Sequence, residues 1–257
     1  MIRAAKYRGA TKCDANLEEG LGLCWICGDP ASTGEHKTKQ SDLRAVLGTP
    51  TQEKPFYYHD GIKKNRLVRS YRADFLKSPS RLCALCNNQR TQPYDRAWER
   101  LSDWLRNRQP PLKVGDFIRA DRIWPQCATK QMCHVQLFFA KLTGCHLLEA
   151  GINFDRMSLA QSILTGRVNP YIYLKFRLSR TTSMVGMPDL LSDVSPASNP
   201  CGVATWMYAL GPLAIEVQYV NADGRHIRLP DAWHPAFGSN RFQITAPLDE
   251  RQSEEGR

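Results

Sequence analysis

The sequence predicts an α+β protein built from a cysteine-stapled module followed by a second α+β segment, and three observations predict it. Two Cys-x-x-Cys pairs, Cys24/Cys27 and Cys83/Cys86, bracket the front segment. Apolar residues Ala97, Trp98, Leu101, Trp104 and Leu105 recur at helical spacing and close it. Beyond the break at Gln109-Pro110-Pro111, where proline cannot continue a helical hydrogen-bond ladder, apolar helical stretches give way to β-forming runs.

The elements follow in order. Residues 1–20 carry charges and little apolar periodicity, and are expected to form a lead-in arm. The cysteine-bearing module spans 21–108, with Pro55-Phe56-Tyr57-Tyr58 and Arg66-Leu67-Val68 suggesting an inserted strand or hairpin. The second segment, 112–248, opens with an expected buried helix over 132–149, carried by Val135, Phe138, Phe139, Leu142 and Cys145, with Gly151 as its cap. A second helix is expected over 154–165, then strands over 171–178, 203–210, 213–220 and 226–229, separated by Gly211-Pro212 and Asn221-Ala222-Asp223-Gly224. The Ser/Pro/Asp-rich loop 181–200 and the polar tail 249–257 read as poorly ordered.

Composition narrows the class. The apolar stretches around 135–142 and 203–220 are too short or too interrupted to cross a bilayer. The first six residues lack the apolar core of a secretory signal, so the expectation is a cytoplasmic protein without a membrane partner. Nine cysteines, an odd count, in a reducing compartment argue against a disulfide framework. The net charge of +10 is one-sided: residues 1–125 hold 23 Lys+Arg against 14 Asp+Glu, and residues 126–257 hold 12 against 11. Such a footprint suits a polyanion partner, because a cation that meets a phosphate releases condensed counterions. A solvated basic surface explains the charge alone equally well.

A two-residue gap lets one tight knuckle aim both of its sulfurs at a tetrahedral ion, and Gly28 suits the strained backbone beside it. Cys24, Cys27, Cys83 and Cys86 are therefore expected to bind one structural zinc ion, Zn2+. The competing readings are four buried core cysteines, or a redox motif using one pair. Between the pairs sits Thr33-Gly34-Glu35-His36-Lys37, and directly after the second pair come Asn87 and Asn88.

The order Cys-x-x-Cys, acid-His, Cys-x-x-Cys-Asn resembles the zinc-stapled HNH (ββα-metal, treble-clef) endonucleases, including those of the endonuclease VII type. The run of Glu-His-Lys, Ser-Asp-Leu, Cys-Asn-Asn and Gln-Pro-Tyr-Asp is also similar to HNH-like bacterial proteins without a defined substrate. The resemblance implies a nuclease hydrolysing phosphodiester bonds. His36 would be the general base, and Glu35 and Asn87 would hold a divalent cation, Mg2+ or Mn2+. An imidazole with a pKa of about 6.5 suits the base, and oxygen ligands suit those ions. The zinc would be scaffold, since four thiolates leave no open position. The sequence departs from the family in having Glu35 where Asp is commoner, in lacking the middle asparagine before the second pair, and in the long gap from His36 to Cys83.

Each of these residues has an alternative use. Glu35-His36 could form a surface turn, and Asn87 could cap the following helix. Arg90 could clamp a phosphate bidentately, and Asp95 reads as a helix cap. Lys37, Lys39, Arg44 and Arg81, with Lys63, Lys64, Arg66, Arg69 and Arg72, could track a nucleic-acid backbone, which positions without reading sequence. His134, His146, His226 and His234, with Cys127, Cys133, Cys145 and Cys201, show no ligand spacing and are assigned to core or surface, as are Cys13 and His59. The leading expectation is a DNA-cutting nuclease, DNA being preferred to RNA. Cutting both strands with one site per chain favours a homodimer, and the family suggests a setting in phage recombination or antiphage defence. The rivals are a non-catalytic treble-clef zinc module that binds DNA or RNA, and a protein-interaction adaptor.

Overall fold

A computed structural model of the chain describes residues 22–59, 65–179, 185–186, 191–192, 201–221, 227–237 and 240–247, with the side chains of 79–81, 185–186 and 191–192 left aside. The expected N-terminal arm and tail, the strand start at His226, Lys63 and Lys64, and the side chain of Arg81 lie outside the described residues. So does most of the loop 181–200.

The front segment begins with the first knuckle, in which Gly28 N–H bonds to Cys24 C=O at 2.8 Å and Gly28 takes φ 81°, a conformation that favours glycine. Strand β1 (Thr33–His36) pairs antiparallel with β4 (Lys77–Leu82). Between them the chain forms helix α1 (Gln40–Leu47) and a small hairpin, β2 (Phe56–Tyr58) with β3 (Arg66–Val68), as the sequence suggested. A satellite core of Leu43, Val68, Tyr71 and Leu76 packs under this insertion. The second knuckle runs from β4 into a π-helical turn (Leu85–Arg90), followed by α2 (Gln92–Asn107). Pro93 sits in the first turn of α2, where no intrahelical N–H bond is needed, and Tyr94, Ala97, Trp98, Leu101 and Leu105 form its buried stripe.

After β5 (Phe117–Arg119) comes α3 (Ala128–Glu149), which is apolar on nearly every face and is buried on nearly every face. Its end matches the sequence reading: Gly151 takes φ 67°, just past the last helical turn. Helix α4 (Arg156–Thr165) starts where Asp155 accepts a hydrogen bond from Ser158 N–H at 3.0 Å. The remaining strands are β6 (Ile172–Leu178), β7 (Val185–Gly186), β8 (Leu191–Ser192), β9 (Val203–Leu210), β10 (Leu213–Val220) and β11 (Arg241–Thr245). Among the described residues they join β5 in a seven-stranded sheet in the order β5-β11-β6-β10-β9-β7, with β8 also pairing β9. The pairs β6–β10 and β10–β9 are antiparallel, and β11 runs parallel to β6. Residues 227–229, expected as a strand end, are irregular, while β5 and β11 are short strands the sequence pattern did not announce.

Helix α3 lies against α2, β4, α4, β6 and β10. Consequently the knuckle residues Cys24, Trp25, Ile26, Cys83 and Cys86 belong to the same buried apolar cluster as Phe138, Phe139, Trp206 and Ile215. Among the described residues, no helix is long and apolar enough to cross a membrane.

Candidate functional site

Cys24, Cys27, Cys83 and Cys86 bring their four Sγ atoms within 4.8 Å of one another, a cluster among the described residues that could hold a metal ion. Cys27 Sγ and Cys83 Sγ stand 3.5 Å apart. Four sulfurs placed tetrahedrally at about 2.3 Å from zinc are roughly 3.8 Å apart, so the donor set fits that ion in both chemistry and spacing. Cys86 N–H points at Cys83 Sγ at 3.3 Å, the amide-to-sulfur bond that stabilises a thiolate within a knuckle. Arg90, considered above as a phosphate clamp, donates from Nη1 to Cys86 Sγ at 3.0 Å.

From the first knuckle the chain enters β1, and the register against β4 shifts between Gly34 and His36. Irregularities of this kind re-aim side chains at strand ends. His36 is half-buried, and its Nε2 lies 3.0 Å from Tyr71 C=O. A carbonyl only accepts, so Nε2 carries the hydrogen and the neutral ring keeps its acceptor lone pair on Nδ1. Burial pushes the imidazole pKa below its ordinary value; the Tyr71 bond opposes this, and Lys77, Lys39 and Lys141 add to it. His36 is therefore neutral at pH 7. The inserted segment, which the cysteine and histidine motif left without a role, supplies the carbonyl that orients this ring. Tyr71 is itself tied down by its hydroxyl, which donates to Gly48 C=O at 2.8 Å.

Glu35 points elsewhere, into the protein. Its Oε2 meets Lys141 Nζ at 3.1 Å, and the lysine side chain is only 1% exposed. Lys141 also reaches Asp95 Oδ1 at 3.2 Å and Thr91 Oγ1 at 3.4 Å, so its three N–H donors have three acceptors. Burial alone would lower the ammonium pKa, but Glu35 and Asp95 more than reverse this and hold it above the ordinary lysine value. Burial likewise pushes the Glu35 carboxyl up, with Lys141 opposing. Asp95, read from sequence as a helix cap, instead accepts from Lys141 and lies 3.4 Å from Lys39 Nζ.

Asn87 sits in the π-helical turn and donates from Nδ2 to Thr33 Oγ1 at 3.1 Å and to Gly34 C=O at 3.4 Å. Glu35, His36 and Asn87 therefore converge on β1, but with different partners. Lys37 is ion-paired with Glu149, and Lys39 with Asp95 and Glu99. Of the residues expected to contact nucleic acid, Lys37, Lys39 and Arg90 thus have protein partners.

The Mg2+ or Mn2+ ion that the resemblance implies does not fit Glu35 and Asn87 as they stand. Glu35 Oε2 is already engaged by the buried Lys141 ammonium, whose charge repels a second cation beside it, so the ion would have to displace Lys141 to gain the carboxylate. Lys141 escaped the sequence reading because it sits within a helix read only for its apolar residues. The signal was present: a single lysine in Phe138-Phe139-Ala140-Lys141-Leu142 has to find a buried anion.

The histidines and cysteines set aside from sequence have ordinary surroundings where described. His234 Nε2 bonds Asn169 C=O at 2.8 Å, His134 packs on Tyr94, and His146 stacks on Trp206 with ring centroids 4.8 Å apart. Cys145 Sγ accepts from Trp25 Nε1 at 3.4 Å. Comparison with protein families, with curated proteins and with solved structures finds no match to this chain.

Proposed function

We propose that the chain is a zinc-stapled nuclease of the HNH (ββα-metal, treble-clef) type that hydrolyses phosphodiester bonds, in DNA preferentially, with His36 as its general base. The observation that carries this reading is the bond from His36 Nε2 to Tyr71 C=O, which leaves Nδ1 as the proton acceptor of a neutral ring. The order of knuckle, β1, β4, second knuckle and helix supports it, as does the position of Asn87 against β1. Zinc, once held by the four thiolates, supplies rigidity and no chemistry. In the reaction His36 Nδ1 takes a proton from water as the water oxygen bonds to phosphorus. The bond from phosphorus to the departing ester oxygen breaks, and that oxygen takes a proton from solvent.

A second reading, a non-catalytic zinc module that binds nucleic acid, is favoured by the engagement of Glu35 with Lys141 and of Asn87 with Thr33 and Gly34. One experiment separates them: cleavage of plasmid and of DNA and RNA oligonucleotides, with and without Mg2+ or Mn2+, by the zinc-loaded parent and by His36→Ala, both verified as folded. Cutting by the parent, reduced at least about a hundredfold in the variant, supports the nuclease. Salt-dependent binding without cutting, equal in both proteins, supports the binding module and overturns the catalytic reading.

A further inference from the structure

We propose that Lys141 is the resident cation of the Glu35 site, taking the place a divalent ion would occupy, so that Glu35 acts as a positioning residue rather than a metal ligand. The inference concerns the same site as the proposed nuclease and rests on that reading only for its catalytic consequence. Its footing is geometric. A buried ammonium sits 3.1 Å from Glu35 and 3.2 Å from Asp95, and its third hydrogen faces Thr91 Oγ1. Two carboxylates and a hydroxyl around a shared centre make an oxygen donor set of the kind that hard cations choose, and here the centre is a nitrogen. The lysine comes from α3 and the oxygens from β1 and from the start of α2. Charge, supplied by the helix at the middle of the core, thus pins the strand that carries His36.

The arrangement also has a functional sense. A buried ion pair is weak support for stability, because desolvation offsets much of the attraction, and its best-attested use is to fix one arrangement over others. Here the arrangement fixed is the end of β1. Glu35 bonds inward to α3, and its neighbour His36 bonds to the inserted loop, so the strand end is held from two sides. Nucleic-acid chemistry at His36 then needs no divalent ion on Glu35.

The test is Mn2+ binding to the zinc-loaded full chain, read by electron paramagnetic resonance of free Mn2+, for the parent, Glu35→Gln, Lys141→Ala and the double variant. The expected result is that parent and Glu35→Gln bind Mn2+ alike. Lys141→Ala should gain a site at least about tenfold tighter than anything in the parent, and the double variant should lose it. If the parent binds an Mn2+ ion that Glu35→Gln loses, the inference is overturned. It is overturned equally if a folded Lys141→Ala gains no site. Should Lys141→Ala fail to fold, the parent and Glu35→Gln comparison decides alone, since Glu35→Gln leaves Lys141 its Asp95 partner. The Mn2+ counts do not depend on cutting. A chain that cuts only with Mg2+ or Mn2+, and loses that dependence with Glu35→Gln, would retain the nuclease reading and sink this one.

Discussion

Tyr208 donates its phenolic hydrogen to Asp42 Oδ2 at 2.6 Å, tying α1 of the cysteine-bearing segment to β9 of the sheet. Trp98 Nε1 donates to the same oxygen at 2.7 Å and Ser102 Oγ to Oδ1 at 3.4 Å. Burial pushes the Asp42 carboxyl above its ordinary value, although Tyr208 and Trp98 favour its charged form. A raised folded value means that Asp42 stabilises the fold fully below the unfolded carboxylate pKa of about 3.9, and that this contribution is lost as pH rises through the folded value. Asp42→Asn places a neutral amide oxygen before the same donors. It is expected to unfold within a few degrees of the parent at pH 7 and to lack this pH-dependent component. Asp42→Ala strands two buried donors at about 1–3 kcal/mol each and should lower the midpoint by several degrees. Thermal melts from pH 4 to 7 read both, and an Asp42→Ala as stable as the parent would remove the tie from consideration.

His146 gives the opposite pH dependence. Burial against Trp206, aided by Lys37, pushes its imidazole down to about 4, while an unfolded histidine has a pKa of about 6.5. Between those values the unfolded chain takes up a proton that the folded chain refuses. Stability is therefore lost as pH falls from 6.5 toward 4. The loss from this group between pH 7 and pH 5 is about 2 kcal/mol. Urea unfolding at the two pH values measures it. His146→Phe keeps a ring on Trp206 and should cut the difference by that amount; an unchanged difference would assign the acid sensitivity elsewhere.

Much of the fold was legible because period and punctuation agreed. The expected strands over 203–210 and 213–220 match β9 and β10 residue for residue, since alternation and the turn at Gly211-Pro212 mark the same ends. The cysteine cluster was legible from spacing alone, because a knuckle is local. What stayed hidden was set by contacts distant in sequence. Asp95 was read as a cap because its partner, Lys141, lies 46 residues away. The basic residues Lys37 and Lys39 were read against solvent, and their partners Glu149, Asp95 and Glu99 come from other elements. Tyr71 reaches His36 through its backbone carbonyl, an atom every residue carries, so no side-chain pattern announces it.

Gly144 lets the first knuckle seat on α3. A Cβ at this position would come 2.4 Å from Trp25 Cη2 and 2.5 Å from Trp25 Cζ2. Alanine favours a helix interior over glycine by about 1 kcal/mol, yet overpacking of this kind costs about 1–3 kcal/mol. Gly144→Ala should therefore destabilise despite its better propensity. Trp25 stands between Cys24 and Cys27, so the displacement should reach the ligands. The expected outcome is a lower melting temperature together with faster loss of zinc to a chromogenic chelator. The parent should hold one zinc per chain, and Cys83→Ser, one thiolate short, should hold less and lose cooperative unfolding, because the knuckles share the main core. A Gly144→Ala that melts and releases zinc as the parent does would mean that Trp25 moves aside without consequence for the knuckle.

The environment of His36 makes a kinetic prediction that a merely structural histidine does not. Its imidazole is pushed below the ordinary histidine value by burial, so the neutral, base-competent form persists to lower pH than for an exposed ring. Cleavage measured as kcat/KM should rise with unit slope from acid, with its midpoint below the ordinary histidine value. Tyr71→Phe removes the hydroxyl bond to Gly48 C=O that steadies the loop, while leaving the backbone carbonyl in place. Loosening that loop admits water to the ring. The acid limb should then move up toward the ordinary value, with kcat falling by less than in His36→Ala. An acid limb that stays fixed in Tyr71→Phe, with a kcat equal to that of the parent, would show that the ring does not depend on the anchorage of this loop. A limb that also persists in residual cutting by His36→Ala would assign the titrating base to another residue.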